Sequence, residues 1–389
     1  MLREESLQHL RPGLAKMLRN VHLGPPSTPE GVFYAMLPAL PGRAPQCREA
    51  TIVSSETYFK ADISGQRPYD PMKEPRFTEI ATFMRAPLAS SLANVDIGLI
   101  GVPTDLGVTN RPGARHGPRE IRNASSLMRG YNLGLGVNPY ELCRIADLGD
   151  VRLSHRYDLE KQNEDIEAFY RAVKAAGVLP VSAGGDHSIT YPIFRAIAAE
   201  RPVGMVHIDA HTDTWGEFFG SKFTHGAPFR LAVEAGVLDP KRTIQIGIRG
   251  GQNFLDGIEF SRSHGMRVVF IEEFADLGVE RVIALAREVV GDAPAYLSFD
   301  VDGLDPVYAP GTGTPEVGGI TTLEAQRLLR GLRGVNFIGG DVVEVAPPYD
   351  QTGNTALVGA TMMFEILCLI ADRHFGAGKR AAGAAPRSR

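Results

Sequence analysis

VGMVHIDAHTD, residues 203–213, is the stretch on which the fold turns. Its first half is a short, mostly apolar run, the pattern of a strand covered on both faces. The chain then becomes polar at once, with Asp209, His211 and Asp213 at alternate positions. Where a chain is still extended at a strand end, residues i and i+2 point to one side, so these side chains share one edge of a sheet. The design recurs. LPVSAG at 179–184 runs into GGDHS (184–188), AYLSFD at 295–300 into FDVDGLDP (299–306), and NFIGGDVVEV at 336–345 carries DVVEV (341–345).

Outward from these four, residues 95–102, 143–149, 242–248 and 267–271 read as further strands, and 160–177, 188–200, 278–291, 322–333 and 354–374 as helices between them. Such alternation builds βαβ units. Strands apolar on both faces need helices on both faces, which predicts an α/β protein, a three-layer α/β/α sandwich with a mostly parallel central sheet, and leaves a TIM barrel as the competing closure. In an open sheet ligands bind beyond the C-terminal strand ends, where all four polar clusters fall.

The 389 residues divide into an N-terminal extension (1–77) that is rich in Pro and Gly and partly ordered, an α/β domain (78–375) whose regular alternation begins near Val95, and a small-residue tail (376–389). With 43% hydrophobic and 22% charged residues, the chain can bury a large core. A net charge of −4 without a basic tract speaks against a nucleic-acid partner. Cys47, Cys143 and Cys368 lie far apart, an odd count that fits neither a disulfide framework nor a CxxC site, and this fits a reducing cytoplasm. The opening MLREESLQHLRPGLAKML lacks the apolar segment of a secretory leader, and no run of 18 apolar residues predicts a membrane span.

Asp209, Asp213, Asp300 and Asp302, joined by His187 and His211, bring four carboxylates and two imidazoles to one pocket. Like charges a few ångströms apart resist joint ionisation, and a divalent cation removes that cost. Six ligands with four acids exceed the need of one ion, and bridging carboxylates hold two ions ~3.5–4 Å apart. Mixed nitrogen and oxygen donors without thiolate point to Mn²⁺, or to Ni²⁺, Co²⁺ or Fe²⁺, over a structural zinc. Asp186 and Asp305 read instead as turn or cap residues.

GGDHS, HIDAHTD and SFDVDGLDPVYAPGTGTPEVGG resemble the three metal-binding signatures of the ureohydrolase (arginase/agmatinase) superfamily. The resemblance spans roughly residues 78–375 and includes IATFMRAP, GVPTDLGVTNRPGARHGPREIR, QIGIRG and GGDVVEVAPPYD. It implies an arginase-like fold, a binuclear centre and hydrolysis of a guanidino group to urea and an amine, in hexamers or trimers. By motif position, His187, Asp209, Asp213 and Asp300 would hold one ion and Asp209, His211, Asp300 and Asp302 the other. Asp213 would also orient the attacking water and take its proton. His225 in FTHGAPF matches the family's proton-shuttling histidine, a task suited to an imidazole near its ordinary pKa of ~6.5. Glu344 in DVVEV matches the glutamate that pairs with the substrate guanidinium.

Two departures bear on substrate. Arginases read the α-amino-acid end of arginine with polar residues, typically an Asn two positions after the last HxD ligand, and that position here is Trp215. The loop DTWGEFFGSKFTHG looks instead like those of agmatinases and guanidino-acid hydrolases. Trp215, with Phe218, Phe219 and Phe223, could wall a small pocket, and Glu217 could meet a distal amine. The N-terminal extension resembles that of guanidine hydrolases that use nickel. The resemblance implies an agmatinase-like enzyme first, with a nickel-dependent guanidine hydrolase or a guanidino-acid hydrolase such as guanidinobutyrase as the alternatives, and an assembly subunit without activity as the non-enzymatic one.

Overall fold

The computed structural model describes residues 74–380 of the chain. Most of the expected extension (1–73) and of the expected tail (381–389) therefore lies outside the described residues. Eight strands, β1 (Ile97–Val102), β2 (Ile145–Asp150), β3 (Leu179–Gly184), β4 (Val203–Ile208), β5 (Leu238–Ile248), β6 (Arg267–Phe270), β7 (Ala295–Asp300) and β8 (Phe337–Val343), form one sheet in the order β2-β1-β3-β8-β7-β4-β5-β6. Every pairing is parallel, and β2 and β6 end the sheet as separate edges. The sheet is open, which removes the barrel.

Alternate residues of each strand feed alternate faces, as the period of two requires. Ile97 and Leu99, Leu297 and Phe299, and Val206 and Ile208 enter one core, while Ile100 and Val102, Tyr296, and Met205 enter the other. The first core is roofed by helices α1 (Gly117–Ser125), α2 (Pro139–Leu142), α7 (Ile271–Leu277), α8 (Val279–Val290), α9 (Thr322–Gly331) and α10 (Asn354–Arg380), the second by α3 (Leu159–Ala175), α4 (Thr190–Ile197) and α5 (Pro228–Glu234). A further helix, α6 (Asp256–Ser263), precedes β6. Local chemistry sets several starts: Asp158 caps α3 through Lys161 N, and Thr321 and Glu324 form a reciprocal capping box at α9.

Differences from the sequence reading have physical reasons. The strand expected over 336–345 stops at Val343, because Glu344 turns into the left-handed region at φ 64°. The helix expected over 188–200 begins as a 3-10 turn, His187–Ile189, before α4. Short helices α1, α2, α5, α6 and α7 escaped the periodicity search, since windows of 4 to 9 residues carry too few turns to show a period. α10 runs through Arg380, past the 375 boundary given to the domain. Its Asn354–Ala377 portion is long and apolar enough to cross a membrane, but 83% of its most apolar window is buried inside the protein, so the core accounts for that apolarity.

Two loops meet at Gly185, whose hypothetical Cβ would fall on the Thr104 carbonyl oxygen. Gly185→Ala is expected to cost roughly 1–3 kcal/mol through forced displacement of that backbone, read by urea denaturation. A midpoint equal to the parent's would show that the loops separate freely.

Candidate metal centre and active site

The strands that carry the polar clusters, β3, β8, β7 and β4, are neighbours at the middle of the sheet although far apart in sequence. His187 follows β3, Asp209, His211 and Asp213 follow β4, Asp300 ends β7, Asp302 lies in the 3-10 turn Val301–Gly303, and Glu344 is the first residue past β8. All are buried except His211, which is partly exposed.

His187 Nδ1 lies 3.2 Å from Asp209 Oδ2, 2.9 Å from Asp213 Oδ2 and 3.3 Å from Asp300 Oδ2. His211 Nδ1 lies 3.4 Å from Asp209 Oδ1 and 3.2 Å from Asp302 Oδ2. Asp209 thus turns one oxygen to each group. Backbone amides hold the acids in place: His211 N donates to Asp209 Oδ1 (2.6 Å), Asp302 N to Asp300 Oδ1 (2.8 Å) and Ala210 N to Asp302 Oδ1 (3.2 Å).

The charge state of this cluster tests whether cations fit it. Burial by itself pushes His187 and His211 down, but the surrounding carboxylates outweigh it and hold both imidazoles well above their ordinary value. Burial, then Asp302 and Asp209, hold Asp300 well above the carboxylate range, and burial with Asp209 lifts Asp302 to about 6. Burial would raise Asp209 too, yet the imidazoles of His207, His187 and His211 keep it well below. Protons on imidazoles thus do the work of a counter-charge. His187 Nδ1 nevertheless has no properly directed hydrogen bond, despite three carboxylate oxygens around it. A nitrogen and several oxygens converging on one point in this way could hold a divalent metal, which their donor types suit.

His207 was passed over in the sequence, although it stands two residues before Asp209 at the same alternate spacing. Its side chain groups with His187, Asp209 and Asp213 within metal-binding range. Its bonds argue otherwise: Nδ1 accepts from Gln245 Nε2 (3.2 Å), which leaves Nε2–H to donate to Asp209 Oδ2 (2.7 Å), and a protonated nitrogen is not a ligand.

His225 and Glu344 sit beside the cluster. His225 Nδ1 is 2.9 Å from Glu344 Oε1, and its Nε2 is 2.9 Å from Thr109 Oγ1, a partner the sequence reading missed. Burial lowers the His225 pKa, but Glu344 more than reverses this and carries it up to about 9. The expectation of an imidazole near its ordinary value is therefore corrected upward, and Thr109 N also donates to Nε2 (3.3 Å). Glu344 Oε1 also accepts from His187 N (2.9 Å), while Oε2 is buried without a partner. Asp213 (φ 51°) and Glu344 (φ 64°) both hold left-handed backbone, strain that persists only where the surroundings enforce it. Asp186 behaves as a cap, accepting from Ser188 N (3.0 Å) and Gly107 N (2.7 Å), and Asp305 likewise accepts from Val307, Gly318 and Gly319 N.

Trp215 lines the cleft with His211, Asp213, His225, Asp300 and Asp302. Its indole is wedged between two glycines, where a Cβ at Gly226 or Gly257 would come within 2.8 Å or 2.6 Å of ring atoms. The other side of Trp215 borders an outer pocket of about 350 Å³ with Glu217, Phe218, Phe254 and Asp256. Phe219 is 95% exposed and Phe223 packs towards Tyr191, so neither joins the cleft wall.

Residues 95–369 match the arginase family. The chain is 58% identical to the guanidinopropionase of Pseudomonas aeruginosa over 307 residues, covering 79% of this chain and 96% of that one. It is 46% identical to the mitochondrial agmatinase of Gallus gallus over 292 residues, 75% of this chain and 86% of that one. Among solved structures, proclavaminate amidinohydrolase from Streptomyces clavuligerus superposes with a TM-score of 0.74 at 38% identity, covering 77% of this chain and all of that one. The chain belongs to the arginase family, whose α/β/α fold it shares. It is a hydrolase of C–N bonds in linear amidines.

In the metal-free protein, the His225 ring is expected to titrate near pH 9 by ¹H–¹⁵N spectroscopy of labelled histidine, and Glu344→Gln to move the midpoint down. Because the folded value is raised, the stability this group contributes is full below about pH 6.5 and is lost as pH rises through the folded value. An unmoved midpoint would show that Glu344 is not the cause.

Proposed function

We propose that this chain hydrolyses the guanidino group of a short ω-guanidino acid to urea and an amino acid at a centre of two divalent ions. The unpaired Glu344 Oε2 carries the reading. A buried carboxylate oxygen without a donor is costly, and a guanidinium offers planar N–H donors that would satisfy it by a charge-assisted bond. By motif position, His187, Asp209, Asp213 and Asp300 would hold one ion, and Asp209, His211, Asp300 and Asp302 the other. Two neighbouring groups that share Asp209, one with His187 and Asp213 and one with His211 and Asp302, support this assignment, and Asp300 Oδ2 lies 3.3 Å from His187 Nδ1. An oxygen-rich donor set favours Mn²⁺, with Ni²⁺ second.

When bound, the ions supply the charge that makes water nucleophilic at neutral pH. Glu344 fixes the planar cation and sets its carbon in reach of that water. Asp213 accepts the water's proton as the C–O bond forms. His225, whose proton Glu344 favours, gives a proton to the departing nitrogen as the C–N bond breaks, and Thr109 keeps its ring turned to the cleft.

For the substrate, the identity to the guanidinopropionase exceeds that to the agmatinase by 58% to 46%. Trp215 replaces the polar residue an arginine-reading enzyme would carry there. Agmatine is the second reading, favoured by Glu217 and Asp256 on the outer pocket. Cytoplasmic residence fits the free thiol of Cys368, and the family resemblance supports a homo-oligomer, trimer or hexamer, measurable by light scattering.

Urea release from 3-guanidinopropionate, 4-guanidinobutyrate, agmatine, guanidine and arginine, after reconstitution with Mn²⁺ or Ni²⁺, is expected to be fastest for a guanidino acid. Fastest turnover of agmatine or guanidine would overturn the substrate class, and no urea from any would leave an assembly subunit. Asp209→Asn and Asp302→Asn are expected to lose metal and activity together. Glu344→Gln should keep metal and lose turnover, and His225→Ala should keep metal and lose ~10²–10⁴-fold in rate; metal loss in the histidine variant would make it a ligand. Trp215→Ala should join the cleft to the outer pocket and shift preference to longer guanidino acids, and an unchanged order of substrates would remove Trp215 from specificity.

A further inference from the structure

One level beneath the ligands, a row of polar side chains crosses the middle of the sheet. Register sets it: Ser182 on β3 is level with Asp341 on β8, Asp341 with Ser298 on β7, Ser298 with His207 on β4, and His207 with Gln245 on β5. All five are fully buried. Burying such a row costs desolvation that apolar residues would avoid, and helix packing against the sheet gives no reason for it.

The hydrogen bonds give the row a direction. Ser298 Oγ donates to Asp341 Oδ1 (2.6 Å), and Thr190 Oγ1 (2.8 Å) and Tyr296 OH (3.1 Å) donate to Asp341 Oδ2. Three hydroxyl donors make Asp341 the acceptor of each bond. The single Ser298 proton goes to Asp341, so the Ser298 oxygen must accept from its remaining neighbour, His187 Nε2–H, at 2.8 Å. With Nε2 fixed as the protonated nitrogen, Nδ1 is the one left to face Asp209, Asp213 and Asp300.

We propose that Asp341, acting through Ser298, is a positioning residue that fixes the tautomer and ring orientation of His187 for metal binding. The proposal rests on His187 being a metal ligand. Outer partners of this kind orient ligating imidazoles, and their loss typically weakens metal affinity ~10–100-fold. On the far side of the row, His207 holds Asp209 in the same manner.

The test measures Mn²⁺ and Ni²⁺ dissociation constants of the full chain by equilibrium dialysis, beside thermal stability. Ser298→Ala and Asp341→Asn are expected to weaken binding ~10–100-fold. Tyr296→Phe, which removes a different donor from the same carboxylate, is expected to leave it unchanged. If Asp341→Asn fails to fold, Ser298→Ala carries the test alone, since it removes one oxygen. Parent-like affinity in Ser298→Ala, or equal weakening in Tyr296→Phe, overturns the relay while leaving the metal centre intact. A parent that binds neither ion overturns the metal reading and the relay with it.

Discussion

Mutual repulsion among Asp209, Asp213, Asp300 and Asp302 is the constraint to which the rest of the structure answers. Two adjacent strands deliver all four acids to one buried edge, where solvent cannot screen them. Everything around that edge brings compensating charge or donors. His187 and His211 lean on the carboxylates, backbone amides of the following turns bond their outer oxygens, and His207 supports Asp209 from below. The same balance explains why the site tolerates ions: cations replace protons that the cluster holds in their absence.

Strain and charge meet in Glu344. Its left-handed backbone swings the side chain out of the β8 ladder, so that one carboxylate oxygen can bond both the His187 amide and the His225 ring while the other stays unpaired. A residue continuing the strand would point along the sheet face instead. The turn couples the histidine on the β4 side to the strand beside β3, and ties the cleft's proton inventory to the geometry of one backbone torsion.

Much of this was legible in the sequence because the ligand spacing is local. Alternate positions at strand ends are enough to bring Asp209, His211 and Asp213, or Asp300 and Asp302, to one side, and short apolar runs locate the strands. Other features depend on which strands become neighbours. Ser298, Asp341 and His207 come level only through the order β3-β8-β7-β4, and one strand's pattern does not hold that information. The pKa of His225 was misjudged because it depends on a carboxylate 119 residues away. Phe219 was placed near a pocket by composition, whereas its loop turns it to solvent.

The place of β8 has a consequence for how the chain comes into being. During synthesis β1 to β7 emerge first, yet until residues 337–343 follow, the sheet exists only as two halves, β2-β1-β3 and β7-β4-β5-β6, each with a bare edge where β8 belongs. Those edges are open templates for pairing with other chains, and α10, one of the helices that roof the first core, follows β8 in the chain. β8 is thus the keystone that joins the two halves of the sheet. Without β8, His187 after β3 and the acids of β4 and β7 would sit on separate halves, so the strand that carries Glu344 to the cleft also unites the ligand set.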